Sequence, residues 1–569
     1  MCVPRFDSPP LFCSILDTKR GGSFTVAPDS LVESRQFYEK DTGVLVTEMR
    51  CPSGLVRLSD ALTLRSGADL SEDVAAGRCE LLRSVSVLDG RVRLRIEIEP
   101  RGEVQAEPRR EGLRLRCPSR PDIEMQLYST YPRPLQGLNN WLDLSSGERF
   151  QLTLRWGSGL PSHAHLSPEE LLGETLRAWR RWMHRFQYEG PEESLVRRSA
   201  ITLKLLDYTP NGAILAAPTS SLPEAIGGSR NWDYRYSWIR DAAFSVYALR
   251  RIGFNVEAER FLGWVLDAVE SGERPRVLYN LDGRQPQPET EDPELEGYRG
   301  SSPVRWGNAA AEQWQHDVYG EILDCAYQWT AHGGEIDDVL WMRLKGLVKA
   351  ARSEWQKPDH GIWEVRTSGR PFTYSAALCQ VALDRGARLA RRFKLEGESE
   401  AWTDASIHIR NAILELAWDD QIQSLTEHLG GGGLDASLLS LPLRRVVPAD
   451  DPRMVATAAA IAERLAAGNG LLYRYLPQES PDGLPGHEGA FLLCSFWMVD
   501  NLAYQGRIEE ALEMYRSLCA RAGSLGLLPE EIDPSTGAFL GNYPQAFSHI
   551  GVISSGVNLS RLTQEARPS

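Results

Sequence analysis

The first part of the chain alternates apolar and polar residues. Short runs of this kind, separated by turn-forming residues, occur before about residue 160: VLVTEMRC, VRLRIEIEP, LRLRC, IEMQLYST and RFQLTLRW. A period of two places every second side chain on the same face, which is typical of half-buried antiparallel strands. We therefore expect an N-terminal antiparallel β-sandwich domain over residues 1–162.

The hydrophobic period lengthens near residue 165. The segment SPEELLGETLRAWRRWMHRF begins with Ser167 as a helix N-cap, followed by Pro168 in the first turn and two acidic residues. Acidic side chains are favourable near the positive end of a helix dipole, so this is a strong helix start. We predict a linker helix within residues 163–190.

Beyond residue 190 apolar residues recur every three or four positions. Candidate helices lie near 192–207, 239–252, 255–270, 312–332, 336–355, 374–393, 398–417, 433–446, 453–466, 487–504, 507–522 and 544–563. A dozen helices are compatible with an α-solenoid or with a closed double ring. Because no 34- or 40-residue repeat stands out, the pattern argues against a solenoid. The helical domain is predicted to span residues 191–569.

Composition and charge restrict the classes of molecule that the protein is expected to bind. Of 569 residues, 42% are hydrophobic and 25% are charged, and the net charge is −14. Such a surface repels nucleic acid and anionic lipid, whereas a neutral ligand such as a sugar is compatible with it. No apolar run approaches the roughly 18 residues of a membrane-spanning helix, and no signal peptide is visible. The nine cysteines lack metal-ligand spacing and indicate reduced thiols, so we expect a cytoplasmic protein without metal or cofactor.

One loop carries an unusual density of ligand-binding side chains. Residues 227–241, GGSRNWDYRYSWIRD, combine four aromatic residues, three arginines and two aspartates immediately before a helix. Aromatic faces bind the C–H groups of sugars, and charged side chains bind their hydroxyls. The alternative is a capping loop in which Arg–Asp pairs only join helices.

Two further segments contain glutamates with possible catalytic roles. In GIWEVR, Glu364 follows an indole that can desolvate it and keep it protonated, as a general acid requires. In LPEEIDP, Glu530 and Glu531 precede the last predicted helix. A glutamate in either context, taken alone, more often belongs to a solvated turn than to an active site. A fourth segment around Arg474 offers either another sugar ligand or ordinary packing.

Taken together, six motifs resemble glycoside hydrolase family 15, the glucoamylase and trehalase-like enzymes of bacterial type. The motifs are WDYRYSWIRDAAF, PVRWGNAAAEQWQHDVYGE, GIWEVR, ALDRGARLA, EGAFLLCSFW and LPEEIDPSTGAFLGNYPQAFSHIG. The resemblance covers nearly the whole chain. It implies a β-sandwich followed by an (α/α)6 barrel, in agreement with the elements predicted above.

The resemblance also implies roles for individual residues. Glu364 would be the general acid, and Glu530 would be the base that activates water. The expected substrate-binding residues are Tyr234, Trp238, Arg240, Asp241, Trp363, Arg474 and Glu531. The implied reaction is exo-acting hydrolysis of an α-glucoside with inversion, on trehalose or a maltooligosaccharide-like chain, for which the carboxyls should stand roughly 6.5–9.5 Å apart.

Two departures from the family pattern concern the substrate. After the general-acid loop, relatives tend to have Ser-Lys and then an aromatic residue, whereas this chain has Ser375-Ala376 and Gln380. The polar stretch 284–294 replaces a more apolar loop. Both affect sugar contacts beyond the first subsite and leave the two glutamates unchanged. Two alternatives remain open, namely an inverting disaccharide phosphorylase and a catalytically idle sugar-binding protein. The oligomeric state is not predicted.

Overall fold

The chain divides into two compact units. The computed structural model describes residues 1–72, 76–110, 112–118, 120–157, 167–269, 274–331 and 333–565. The first unit comprises Met1–Phe186, Pro293–Arg299 and Gly523–Leu525, and the second comprises Gln187–Asp292, Gly300–Ala522 and Gly526–Ser569. The predicted limits 1–162, 163–190 and 191–569 stay a prediction. The first of them falls among residues 158–166, outside the described residues.

The first unit is built on antiparallel strands. Its described strands are β1 (Ser23–Pro28), β2 (Glu33–Tyr38), β3 (Leu45–Cys51), β4 (Gly54–Leu64), β5 (Gly77–Glu99), β6 (Gln105–Arg109), β7 (Gly112–Arg116), β8 (Glu124–Ser129), β9 (Asn139–Ser145) and β10 (Arg149–Trp156). They pair in the order β2-β3-β4-β5-β10-β8-β7-β6, and β1 and β9 also pair with β5.

The long strand β5 belongs to two sheets. Its first half pairs with β4 and β10, whereas its second half pairs with β1 and β9. In the second half Val92, Leu94, Ile96 and Ile98 are buried and alternate with more exposed residues. The period-two prediction for this segment is therefore confirmed, and its buried side chains join one hydrophobic core.

Helix α1 (Pro168–Met183) starts as predicted but belongs to the first unit. Ser167 and Glu170 form a capping box, in which each side chain accepts a hydrogen bond from the other residue's backbone N–H. The backbone N–H of Leu64 in β4 donates to the Thr175 hydroxyl at 3.1 Å. The segment predicted as a linker thus packs on the sheet.

The second unit is helical. Its described α-helices are α2 (Glu193–Leu206), α3 (Ile239–Arg251), α4 (Val256–Ala268), α5 (Asp317–Thr330), α6 (Asp338–Glu354), α7 (Thr373–Phe393), α8 (Ser399–Leu416), α9 (Pro452–Arg464), α10 (Leu492–Tyr504), α11 (Ile508–Cys519) and α12 (Ala546–Glu565). Residues 270 and 332, the predicted ends of two helices, lie outside the described residues.

These helices form a closed double ring. The inner members are α3, α5, α7, a 3₁₀ helix (Ala436–Ser440), α10 and α12; each contacts the next, and α12 contacts α3. The outer members α2, α4, α6, α8, α9 and α11 pack against them. Gly320 in α5 permits a close approach, because a Cβ there would overlap the Leu378 carbonyl oxygen of α7. The predicted sandwich and (α/α)6 barrel are confirmed.

One predicted helix is wrong in type. Residues 433–446 were expected to be α-helical, but only the 3₁₀ helix forms there, capped by the Asp435 side chain. Pro442 has no N–H to donate to a helix, so the segment continues as turns. This short element nevertheless takes the place of the inner helix between α7 and α10.

Short strands lie in the loops of the helical unit. They are β11 (Asp207–Tyr208), β12 (Ala213–Ile214), β13 (Ser220–Pro223), β14 (Asn231–Asp233), β15 (Ser237–Trp238), β16 (Leu278–Tyr279), β17 (Thr290–Asp292), β18 (Val304–Trp306), β19 (Trp418–Asp419), β20 (Ser424–Leu425), β21 (Ala466–Gly468), β22 (Leu471–Leu472), β23 (Ala490–Phe491), β24 (Glu531–Ile532) and β25 (Phe539–Leu540). Two further 3₁₀ helices of this unit are Ala309–Glu312 and Ala520–Ala522. Several of these strands precede inner helices and fix the loops at one end of the ring.

Candidate active site

A polar pocket lies where the inner helices begin. It encloses about 670 Å³ of space between its lining atoms, open solvent at the mouth included. Its lining residues are Ala216, Glu224, Arg230, Trp232, Tyr234, Trp238, Arg240, Asp241, Asn308, Ile362, Trp363, Glu364, Arg366, Arg474, Tyr475, Leu484, Phe491, Glu530, Gln545 and Phe547. The fold thus brings both predicted catalytic glutamates, and most of the predicted sugar ligands, into a single cavity.

Glu364 sits on a tight turn with a left-handed backbone. Its φ is 60°, its N–H donates to the Gly361 carbonyl at 3.2 Å, and the next N–H donates to His360 at 3.1 Å. This conformation is unfavourable for a residue other than glycine and persists only where the surroundings hold it. The Trp238 indole donates to Glu364 Oε1 at 2.6 Å, and Arg240 Nη2 lies 3.4 Å from the same oxygen.

Glu530 is more deeply buried than Glu364. The Tyr234 hydroxyl donates to its Oε1 at 2.7 Å, and the backbone N–H of Glu530 donates to the Asn542 carbonyl at 3.2 Å. Burial raises the pKa of Glu530 to about 7, although Arg474 and the Tyr234 hydroxyl oppose the rise. Gly541 leaves room for this side chain, because a Cβ there would overlap Glu530 Oε2.

The start of α12 positions the loop that carries Glu530. The Ser548 hydroxyl donates to the Pro529 carbonyl at 2.6 Å, and the Leu528 N–H donates to His549 Nε2 at 3.2 Å. Burial lowers the pKa of His549 to about 3, so its ring stays neutral and accepts this bond. The loop is therefore anchored on both sides of the proline.

Two aromatic side chains connect the glutamates. Tyr234 bonds Glu530, Trp238 bonds Glu364, and their ring centroids are 5.3 Å apart at 66°. Both come from the glycine-led loop before α3. This loop therefore orients both carboxyl groups and does more than cap a helix.

Arg240 and Asp241 occupy the first turn of α3. Arg240 Nη1 donates to Gln315 at 2.9 Å and to Asp317 at 3.0 Å, so the guanidinium is fixed by the protein on one side. Its Nη2 faces Glu364. Burial raises the pKa of Asp241 to about 7, and Arg240 opposes that rise. Both residues line the pocket, as their predicted role in sugar binding requires.

Arg474 and Trp363 form another part of the wall. Arg474 Nε donates to Glu488 at 3.0 Å, and its guanidinium lies 5.3 Å from the Trp363 ring centroid. The Trp363 indole donates to Asp435 at 2.8 Å. The fourth segment, around Arg474, thus lines the pocket.

Glu531 is placed differently from the other predicted substrate-binding residues. It is fully buried and is not among the residues that line the pocket, so its contact with the substrate stays a prediction. Its Oε2 accepts the Gly489 N–H at 2.8 Å, and its Oε1 lies 3.8 Å from Arg474 Nη2. Glu531 therefore lies beside Arg474, whereas the adjacent Glu530 lines the pocket.

Several pocket residues were not predicted as site residues. Glu224 accepts the Trp232 indole N–H at 2.9 Å, and burial raises the pKa of Glu224 to about 8. Arg230 Nη1 donates to Asp482 at 2.7 Å. Trp232 and Arg230 belong to the loop 227–241, whose composition indicated a binding site. Glu224 follows a proline in a segment without a motif.

One group of carboxylates has the spacing of a metal site. Among the described residues, ligand atoms of Glu224, Glu488 and Glu531 lie within 4.8 Å of one another. The Arg474 guanidinium approaches all three, at 3.7 Å from Glu224 and 3.8 Å from Glu531. An arginine therefore already supplies positive charge to this group, and the residues do not fit a metal ion well.

Comparison with known proteins shows the family to which the chain belongs. The profile of glycosyl hydrolases family 15 matches residues 190–557. A trehalase of Mycolicibacterium smegmatis is 37% identical over 100% of this chain and 89% of its own length. A trehalase of Thermoplasma acidophilum is 35% identical over 97% of this chain and 95% of its own. The crystal structure of a bacterial glucoamylase complexed with acarbose superposes with a TM-score of 0.70 at 14% identity, covering 100% of this chain and 92% of that one.

The chain belongs to glycoside hydrolase family 15. The predicted family and the predicted enzyme class, a glycoside hydrolase, are confirmed. In the described part of the chain, every helix is too short or too polar to cross a membrane. Location in the cytoplasm stays a prediction.

Proposed function

We propose that the protein hydrolyses α,α-trehalose by an inverting mechanism, with Glu364 as general acid and Glu530 as general base. The observation that carries this proposal is the pairing of Glu364 with Trp238 and of Glu530 with Tyr234 in one pocket. Inversion requires an acid and a base separated by enough space for a sugar ring and a water molecule. Two carboxyls bridged by two aromatic rings suit that requirement.

Glu364 suits the role of acid through its contacts. Both Trp238 and Arg240 approach Oε1, which leaves Oε2 to carry the proton to the bridging oxygen. As the bond from the anomeric carbon to that oxygen breaks, the proton moves from Glu364 to the departing sugar. Trp238 and Arg240 then stabilise the carboxylate that remains, because hydrogen bonds to a charged group are the stronger ones.

Glu530 suits the role of base through its second oxygen. Oε1 is held by Tyr234, whereas Oε2 is buried without a hydrogen-bond partner among the described residues. A water molecule on this oxygen would lose its proton to Glu530 as it attacks the anomeric carbon from the face opposite the departing sugar. A raised pKa suits this step, since general bases work best when their pKa lies near the working pH.

Trehalose is favoured over maltooligosaccharides by the relatives. Trehalases align with this chain over nearly all of both lengths. Tyr234, Trp238 and the two glutamates account for the reaction at the first sugar, and the choice of second sugar rests on the outer pocket.

Initial rates on trehalose, maltose, isomaltose and maltotriose in phosphate-free buffer test the proposed substrate. We expect glucose release from trehalose with the highest kcat/KM of the four. Preference for maltotriose or isomaltose would contradict the choice of trehalose. Release of a sugar phosphate, and only when phosphate is present, would indicate a phosphorylase.

A further inference from the structure

We propose that Arg366 binds the departing sugar at the outer end of the pocket and thereby helps to select the substrate. This inference rests on the proposed function, because it assumes that a sugar leaves from the side of Glu364 that faces the mouth. It concerns the second sugar, whereas the roles given above to Glu364, Glu530 and Arg240 concern the first.

The depth of the side chains gives the pocket a direction. Arg240 is 5% exposed and Glu530 is 2% exposed, whereas Glu364 is 20% exposed and Arg366 is 25% exposed. A general acid lies beside the bond that breaks, so Glu364 marks the boundary between the two sugars. Arg366 is the most exposed of these four residues, and its place toward the mouth is where the departing sugar would sit.

The turn around Glu364 directs Arg366 into the pocket. Glu364 and Arg366 both line the pocket, while the intervening Val365 is buried and does not. The backbone N–H of Arg366 donates to the Asp482 carbonyl at 2.7 Å, which fixes the chain immediately after the general acid. Arg366 therefore keeps a set position relative to Glu364.

The guanidinium of Arg366 contacts Trp232 and Glu289; we call Trp232, Glu289, Arg305 and Arg366 the Trp232 cluster. The guanidinium carbons of Arg366 and Arg305 lie 5.1 Å and 4.7 Å from the Trp232 ring centroid. Glu289 Oε2 accepts from Arg366 Nη2 at 3.3 Å and from the Ala309 N–H at 3.1 Å. Cation–π contact and the carboxylate together orient the arginine.

Arg366 retains donors for a ligand. A guanidinium has five N–H groups in a planar fork, and within the described residues one hydrogen bond from this side chain, to Glu289, is found. A planar fork suits two adjacent hydroxyl oxygens of a pyranose ring. Glu289 belongs to the polar stretch 284–294 that departs from the family pattern. In this proposal that stretch supplies the carboxylate that orients Arg366.

A substrate without a second sugar isolates this contact. In α-D-glucosyl fluoride, water replaces fluoride at the anomeric carbon, giving glucose and hydrogen fluoride, and nothing occupies the outer subsite. We expect Arg366→Ala to lower kcat/KM for trehalose about tenfold to hundredfold, the range for losing a charged hydrogen-bond donor. The same variant should keep kcat/KM for the fluoride within about threefold of wild type, since the first sugar and the base are untouched.

Two milder variants and one control complete the test. Arg366→Lys should lose less than Arg366→Ala, because it keeps the charge without the fork. Glu289→Gln should raise KM for trehalose about twofold to fivefold, the range for a partly exposed ion pair, and should leave the fluoride reaction unchanged. Arg352→Ala removes an exposed arginine that pairs with Glu398 on an outer helix, and it should change neither reaction.

The outcomes separate the possible failures. The assignment would be overturned if Arg366→Ala lowered kcat/KM equally for trehalose and for the fluoride. It would also be overturned if the kinetics of Arg366→Ala on trehalose were unchanged. If Arg366→Ala does not fold by circular dichroism, unchanged KM for trehalose in both Arg366→Lys and Glu289→Gln would overturn it. Wild-type protein that cleaves the fluoride but no disaccharide would contradict the proposed function itself, and that result needs no variant.

Discussion

Replacing Tyr234 by Phe should move the pH dependence of the reaction toward alkaline pH. The Tyr234 hydroxyl donates to Glu530 Oε1 at 2.7 Å, and burial keeps the pKa of Tyr234 well above its ordinary value, so it remains a donor throughout the assay range. This bond favours the ionised form of Glu530. Its removal therefore raises the pKa of Glu530 further above its present raised value.

The size of the effect follows from the bond energy. A hydrogen bond to a buried charge contributes about 1.5–3 kcal/mol, and one pKa unit corresponds to about 1.4 kcal/mol, so the shift should be about one to two units. Below its pKa the base is protonated and inactive. The acidic limb of the kcat/KM profile should therefore move upward by the same one to two units, with activity partly recovering at higher pH.

Initial rates between pH 4.5 and pH 9.5 measure this shift. Tyr504→Phe is a matched control, because it removes a hydroxyl that bonds Asn558 at the far end of α10. Its profile should coincide with that of the wild type. An acidic limb that stays in place in Tyr234→Phe, or moves to lower pH, would refute the assignment of Glu530 as the titrating base.

Three further predictions concern the carboxyl groups. Glu364→Gln and Glu530→Gln should each lower kcat about 10²–10⁴-fold while circular dichroism stays unchanged; turnover near the wild-type rate in either would contradict its role. Gly541→Ala should lower kcat about a hundredfold, because the new Cβ displaces the Glu530 carboxyl and catalysis tolerates little misplacement; an active variant would show that this side chain can move freely. The melting temperature of Glu224→Gln relative to that of the wild type should rise as pH increases from about 4.5 to about 8 and then level off, because burial raises the pKa of Glu224 from 4.5 to about 8 in the folded protein; a difference that does not grow over this range would contradict the raised pKa.

Local patterns were sufficient to predict most of the fold. Period-two burial in β5 and the capping box at Ser167 are properties of adjacent residues, and the structure has both where the sequence indicated them. The α-helix predicted over 433–446 was wrong, because the prediction gave the apolar pattern more weight than Pro442. The missing N–H of Pro442 limits this segment to one 3₁₀ helix.

The residues of the site were harder to predict from the sequence than the fold. Glu364 and Glu530 stand in motifs, but Glu531 shares the motif of Glu530 and is fully buried outside the lining of the pocket, which the motif does not indicate. No motif in the sequence indicated Glu224 as a site residue. Its position beside Trp232 and Arg474 depends on contacts that the spacing of residues along the chain does not reveal. Tertiary proximity of this kind cannot be read from spacing alone.

In the proposed mechanism, water attacks from the face opposite the departing sugar with Glu530 as the base. Time-resolved proton NMR of trehalose hydrolysis in phosphate-free buffer tests this directly. Because one glucose is released by inversion and the other leaves with its anomeric configuration intact, we predict equal initial amounts of β- and α-glucose before mutarotation. Initial formation of α-glucose alone would mean retention of configuration and would contradict the roles assigned to Glu364 and Glu530.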